Sequence, residues 1–292
     1  MKTSDAYAKV TARLIALLEA GTVPWHMPWR TGMPTSIHGR AYRGINAAIL
    51  AFGSPYTSNV WLTFNQARER GGCVRKGEKG TAVILFKVSK REDGETAEGE
   101  SRTRLYATTY TVFNIEQCDG VELPKRFAPR GEVAADERAE QIAARYLTAG
   151  GPALVHQGSR AAYAPKADKI HMPNRNAFDD TSEYYSTLFH EIGHSTGHAA
   201  RLNREGVANF DGFASHQYSK EELVAEFCAA YLCAEAGLEN KRTIDNSAAY
   251  LRSWLRDIKA DPGVLVRAAS QAQKAADLVL GDAAEEEERE AA

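Results

Sequence analysis

The chain has 292 residues, of which 43% are hydrophobic and 25% charged. That is enough for one large or two ordinary domains with a sizeable core, and no apolar run is long enough to cross a bilayer. The four cysteines include no CxxC pair, and the first residues lack the basic-then-apolar layout of a secretory signal. Reduced thiols and a cytoplasmic location are therefore expected.

A formal net charge of −2 hides an asymmetry. Residues 1–90 hold 13 Lys/Arg against 4 Asp/Glu, a net of +9, whereas residues 131–292 hold 17 against 26, a net of −9. Such a split predicts two units with different partners, the basic one facing a polyanion. A basic half docked on an acidic half of the same chain fits the same counts.

In chain order, Ser4 to Ala20 reads as an amphipathic helix with Ser4 as N-cap and Gly21 at its end. Two X-Pro steps then hold Val23–Arg30 extended, presenting Trp25 and Trp29 beside Arg30. Tryptophans so placed are either core residues or stacking platforms for bases. An apolar helix follows at Ala47–Phe52, then a segment containing Trp61 that leads into Gln66–Arg70. The glycine-rich stretch Gly71–Gly80 lacks the GxxxxGK[ST] order of a P-loop. Its Arg75, Lys76 and Lys79, on a flexible backbone, suit contacts to nucleic-acid phosphates; the alternative is a solvated hairpin turn. Strands at Thr81–Val88 and Arg104–Phe113 are expected to pair across a polar loop, which makes the first unit α+β.

Pro124 to Glu132 has the composition of an interdomain linker, placing the domains at 1–123 and 136–282 with the linker over 124–135. The second unit begins with a helix at Asp136–Ala149, broken by Gly150-Gly-Pro. Short strands are expected at Ala153–Gln157, Ala161–Ala164 and Lys169–His171. Helices follow at Lys220–Ala236, Asn246–Lys259 and Val264–Leu280, and residues 283–292 read as an acidic disordered tail.

The chemistry concentrates in Thr187-Leu-Phe-His-Glu-Ile-Gly-His-Ser-Thr-Gly197, preceded by Asp180 and Glu183 at capping-box spacing. It holds the HExxH pattern His190-Glu191-x-x-His194. One helical turn separates the histidines, so both imidazoles leave the same face and can share a metal ion. Glu191 is the candidate catalytic base. The longer HExxHxxGxxH pattern fails because position 200 is Ala200, and His198 is awkwardly placed for the same ion. Downstream, Glu222 and Glu226 lie four apart on an alanine-rich helix, and an acid in the apolar setting of Glu226 calls for a partner. The pair resembles the second helix of gluzincins, which implies Glu222 as third metal ligand and Glu226 as the group that orients a ligand histidine. Zn²⁺ suits two imidazoles and a carboxylate, and Mn²⁺ or Co²⁺ can occupy the same donors.

Two further sets of residues carry a family resemblance. Pro28-Trp29, Tyr42-Arg43-Gly44-Ile45-Asn46, Trp61-Leu62-Thr63, Gln66-Ala67 and Val74-Arg75-Lys76-Gly77-Glu78-Lys79-Gly80 resemble the N-terminal domain of ArdC-type antirestriction proteins, also found in plasmid conjugative primases. The match continues from the HExxH helix through His198, Arg201-Leu202-Asn203 and Glu221-Glu222-Leu223-Val224-Ala225-Glu226. The resemblance implies an α+β fold: a small single-stranded-DNA-binding domain followed by a mainly helical, gluzincin-like metallopeptidase domain with a short sheet. It implies DNA contacts from Trp25, Trp29, Arg43, Asn46, Trp61, Arg75, Lys76 and Lys79, and protection of incoming conjugative DNA from host restriction. A host protein is then the peptidase substrate or binding target. Two other readings use the same residues: a DNA-dependent protease acting on DNA-bound proteins, and a DNA-coating protein with a silent zincin domain.

Overall fold

The computed structural model describes residues 3–20, 23, 33–56, 58–90, 103–124, 127, 135–208, 216–238 and 247–282. Trp25, Trp29, most of the expected 124–135 linker and the acidic tail lie outside the described residues.

Helix α1 (Thr3–Glu19) buries Ala6, Val10, Leu14 and Leu18, the one-face stripe its sequence spells out. Strand β1 (Thr35–Ser36), helix α2 (Gly44–Phe52), strand β2 (Val60–Leu62) and helix α3 (Phe64–Glu69) follow. Thr63 closes a capping box on α3: its hydroxyl accepts from the Gln66 N–H while the Gln66 side chain accepts from its own N–H. After β3 (Cys73–Val74), strands β4 (Thr81–Lys90) and β5 (Thr103–Asn114) pair antiparallel from Thr81↔Val112 to Lys90↔Thr103. Strand β6 (Cys118–Asp119) then returns to β3. A four-stranded sheet runs β1-β2-β5-β4, and α1 and α2 pack against it. Asn46 fastens α2 to the sheet, donating to the Ile84 carbonyl at 2.7 Å and accepting from the Ile84 N–H at 2.8 Å.

The second half opens with α4 (Ala135–Thr148) and a small sheet of β7 (Ala153–His156), β8 (Ala162–Ala164) and β9 (Lys169–Met172). Its order is β7-β9-β8, with β8 antiparallel at the edge. Helices α5 (Thr181–Ser195), α6 (Glu205–Ala208), α7 (His216–Ala236), α8 (Ser247–Ala260) and α9 (Gly263–Leu280) complete it. Asp180 caps α5 by accepting from the Glu183 N–H at 3.0 Å, and the Glu183 carboxylate accepts from the Asp179 N–H instead of closing the box on Asp180. Helix α7 is buried on every side from Glu221 to Ala234, which makes it the central element of the molecule.

The two halves share one hydrophobic cluster, in which residues of α1 and α2 pack with those of α5, α7 and α9. Phe52 stacks on Phe227 with ring centroids 6.1 Å apart. The Tyr231 hydroxyl of α7 donates to the Gly44 carbonyl at 2.9 Å, and the Gly44 N–H donates to Gln273 Oε1 of α9 at 2.9 Å. Arg43 pairs with Asp277 on α9. The two halves thus pack on one another chiefly through apolar contacts, with ion pairs of both senses, Arg43–Asp277 and Glu19–Lys259, across the seam.

Candidate metal centre

Helix α5 supplies His190 and His194 one turn apart, and α7 supplies Glu222. One ligand atom from each lies within 4.8 Å of the others. The Glu222 carboxylate faces both rings, at 3.4 Å from His190 Nε2 and 3.4 Å from His194 Nε2. On the far side, His190 Nδ1 lies 3.2 Å from Glu226 Oε1 and His194 Nδ1 lies 3.4 Å from Glu221 Oε1. Each imidazole is therefore held by a carboxylate at Nδ1 with Nε2 turned to a common centre, the tautomer a metal ligand requires. Gly193 makes the approach of the helices possible. A Cβ there would lie 3.2 Å from the Ala225 Cα, tighter than helix backbones normally allow.

Glu221 was not singled out by the sequence, and neither was its partner. Arg204 donates to Glu221 through Nε at 2.9 Å and Nη2 at 2.6 Å, to Thr196 Oγ1 at 2.7 Å and to the Gly193 carbonyl at 2.7 Å. This buried fork joins the end of α5 to α7 and holds the acid that orients His194. Gly197 serves the same packing: a Cβ there would lie 2.6 Å from Val207 Cγ2 and 3.0 Å from Arg204 Nη2. The available signal was Glu221 beside Glu222 on an apolar helix, since a second buried acid requires a second partner. His198 accepts from the Ala200 N–H at 3.2 Å and takes no part in the ligand cluster.

Burial and charge decide what the centre can hold. Glu191, Glu221, Glu222 and Glu226 are all at most 4% exposed, and Arg204 is the buried guanidinium among them. Two imidazole nitrogens and a carboxylate converging inside an acid-rich, buried shell are a donor set for a divalent ion, so the residues present fit one. Burial opposes charging of His194, but the charge of Glu222, hydrogen bonds with Glu221 and Glu222, and the charge of Glu191 outweigh it, and its pKa is pushed up to about 10. Burial likewise opposes ionisation of Glu222, yet the neighbouring His194 and His190 hold its carboxyl well below the usual range. Glu221 is also lowered, against burial, chiefly by Arg204.

Glu191 lies on the same turn, 4% exposed, and its Oε2 accepts from the Tyr163 N–H of edge strand β8 at 2.8 Å. That strand is tied down in turn. The Tyr163 hydroxyl donates to Asp168 Oδ1 at 2.8 Å, and Arg201 donates to Asp168 Oδ2 at 3.0 Å and to the Ser195 carbonyl at 2.8 Å. Arg201 above all, with help from the Tyr163 hydroxyl and against burial, holds the Asp168 carboxyl below its ordinary value of 3.8. A depressed carboxylate pKa stabilises the fold above the unfolded value, and that stabilisation is lost as pH falls through the folded value. Thermal unfolding between pH 5 and pH 2 checks this: the wild-type midpoint should fall more steeply than that of Asp168→Asn, and parallel curves would show that Asp168 does not stabilise the fold in this way.

The DNA-facing candidates fare differently. Trp61 is 1% exposed, packed with Leu50, Val83 and Val112 and edge-on to Tyr56; it is a core residue and offers no ring face to a base. Asn46 spends its amide on Ile84, and Arg43 pairs with Asp277 while 44% of its side chain stays exposed. The glycine loop is pinned, not flexible: the Arg75 N–H donates to the Gln117 carbonyl at 2.9 Å, and Gln117 Nε2 donates to the Lys79 carbonyl at 3.0 Å and to Glu78 Oε2 at 2.9 Å. The Arg75 guanidinium is taken up by Glu78 at 3.0 Å and Asp119 at 3.4 Å. Lys76 and Lys79 are exposed.

Residues 4–113 match the family described as the N-terminal domain of anti-restriction factor ArdC, and residues 138–271 match a zincin-like metallopeptidase family, MPTase-PolyVal. The chain is 38% identical over 298 residues to DNA primase TraC of Escherichia coli, covering 94% of this chain but only 27% of TraC. It is 35% identical over 288 residues to the uncharacterized protein y4eC of Sinorhizobium fredii (strain NBRC 101917 / NGR234), covering 94% of this chain and 91% of that one. Among solved structures, the metal-free antirestriction protein ArdC from plasmid R388 superposes with a TM-score of 0.77 at 42% identity, covering 96% of this chain and 98% of that one. Its Mn(II)-bound form gives a TM-score of 0.74 at 41% identity, covering 95% and 98%. With an ArdC N-terminal domain and a zincin-like domain in one chain, the protein belongs to the ArdC antirestriction family.

Proposed function

We propose that this protein binds single-stranded DNA through its N-terminal half and carries a divalent-metal-dependent peptidase site, the two together protecting incoming plasmid DNA from restriction. The observation that carries the reading is the buried convergence of His190, His194 and Glu222 beside Glu191. The donor set favours Zn²⁺ and accommodates Mn²⁺ or Co²⁺, and the solved ArdC relative has been seen with Mn(II).

A bound ion supplies Lewis-acid polarisation of a peptide carbonyl and makes a nearby water more acidic. Glu191 takes the proton of that water and delivers it to the leaving amine. The Tyr163 N–H holds Glu191 in place through Oε2. Glu226 and Glu221 keep both imidazole Nε2 atoms aimed at the centre. A host protein is the proposed substrate.

The DNA half is supported by the basic N-terminal charge, the exposed Lys76 and Lys79 and the family match. Fluorescence anisotropy with labelled single- and double-stranded oligonucleotides across a salt series tests it. Single strands should bind with a steep salt dependence, and the double variant Lys76→Ala/Lys79→Ala should flatten the log–log slope by about 0.7 for each phosphate it no longer neutralises. No single-strand binding at any salt would remove the DNA reading, and an unchanged slope would remove the loop from it.

A further inference from the structure

We infer that Phe64, backed by Phe113 and one helical turn from the exposed Arg68, is a stacking site for one base of a single strand; the inference rests on the DNA-binding reading above. Phe64 is 47% exposed. A single exposed apolar side chain is ordinary; what surrounds this one is not. Leu62 on β2 lies opposite Phe113 on β5, and two residues on, at the first position of α3, Phe64 meets Phe113 edge-on with centroids 6.5 Å apart. The Thr63–Gln66 capping box fixes that helix start, so the ring is presented from a rigid base.

The basic loop is drawn to the same place. At Gly80 a Cβ would lie 2.3 Å from Thr111 Cγ2 and 3.0 Å from two ring atoms of Phe113, so only glycine lets the loop lie against that ring. Lys79, the residue before Gly80, has its carbonyl held by Gln117. Arg68 lies one helical turn from Phe64 on α3, and both cations are exposed. The acids of the loop do not compete, because Glu78 and Asp119 face Arg75. A rigid aromatic face on a surface that carries exposed cations is the arrangement by which proteins hold single strands, the ring taking a base and the cations its phosphates. Trp61, three residues earlier, is sequestered in the core and cannot take this part.

The test compares wild type, Phe64→Ala and Phe64→Trp on a labelled oligo-dT strand and on an abasic strand of equal length, with circular dichroism confirming the fold of each. Phe64→Ala should bind oligo-dT about 5- to 150-fold more weakly than wild type. It should match wild type on the abasic strand, which has no base to stack. Phe64→Trp should restore oligo-dT binding and show tryptophan quenching beyond that of wild type. Equal oligo-dT affinity of wild type and Phe64→Ala, or an equal loss on both strands, overturns the stacking site while leaving the DNA reading intact. Absence of any wild-type binding overturns both.

Discussion

Glu191→Gln is expected to lower peptide-bond hydrolysis by about 10²–10⁴-fold, the range general acid–base catalysis supplies, with metal and DNA affinity unchanged. The amide keeps the size of the carboxylate and can still accept from the Tyr163 N–H, so β8 and α5 stay in place. It cannot take a proton from water. Glu191 is absent from the ligand cluster of His190, His194 and Glu222, so the metal should be retained. Hydrolysis of fluorescent casein by metal-loaded wild type and variant, with metal content measured on each, reads the two effects apart. Equal turnover would take the base role from Glu191. Loss of metal together with activity would make Glu191 a structural part of the centre. Restriction protection by the same variant then reports whether proteolysis contributes to it.

Arg204→Met should produce the largest loss of stability, about 3–5 kcal/mol, the usual cost of removing one partner of a buried ion pair. Its side chain is 7% exposed and that of Glu221 4%, so the carboxylate left behind has little access to water. The Thr196 hydroxyl and the Gly193 carbonyl lose a donor as well. Urea denaturation measures the loss. Replacing Glu221 by Leu in the same chain removes the stranded charge and should recover most of the stability. Metal affinity should not recover. His194 is then without its Nδ1 acceptor, and removal of such a partner typically weakens metal binding about 10- to 100-fold. A stable Arg204→Met protein, or a double variant that binds metal like wild type, would refute the role given to this pair.

Much of the fold was legible because local rules carried it. The apolar stripe of α1, the paired strands β4 and β5, and the Asp180 cap of α5 stand where composition and spacing put them. The convergence of His190 and His194 was readable from one helical turn of α5, and that of Glu222 on the metal side with Glu226 behind His190 from one turn of α7, because each pair lies on a single face of its helix. Arg204 was not readable, since it reaches Glu221 from 17 residues away through a turn that only the packing of Gly197 and Val207 defines. Trp61 misled for a related reason. Its neighbours Val60 and Leu62 are equally apolar, and only the tertiary fold shows that all three are buried. Gly44, between the DNA candidates Arg43 and Asn46, is where α2 meets α7 and α9, through partners 187 and 229 residues away in sequence. Charge counts could state that the two halves differ, but not that Phe52 and Phe227 would stack between them.

Everything proposed for the second half depends on His190, His194 and Glu222 holding one divalent ion. Calorimetric titration of chelator-treated protein with Zn²⁺ decides this, using wild type, Glu191→Gln and Glu222→Ala, each checked for fold by circular dichroism. Wild type and Glu191→Gln should each bind one equivalent, and folded Glu222→Ala should show no saturable heat. Stoichiometric binding that survives in Glu222→Ala, or its absence in wild type, would overturn the assignment.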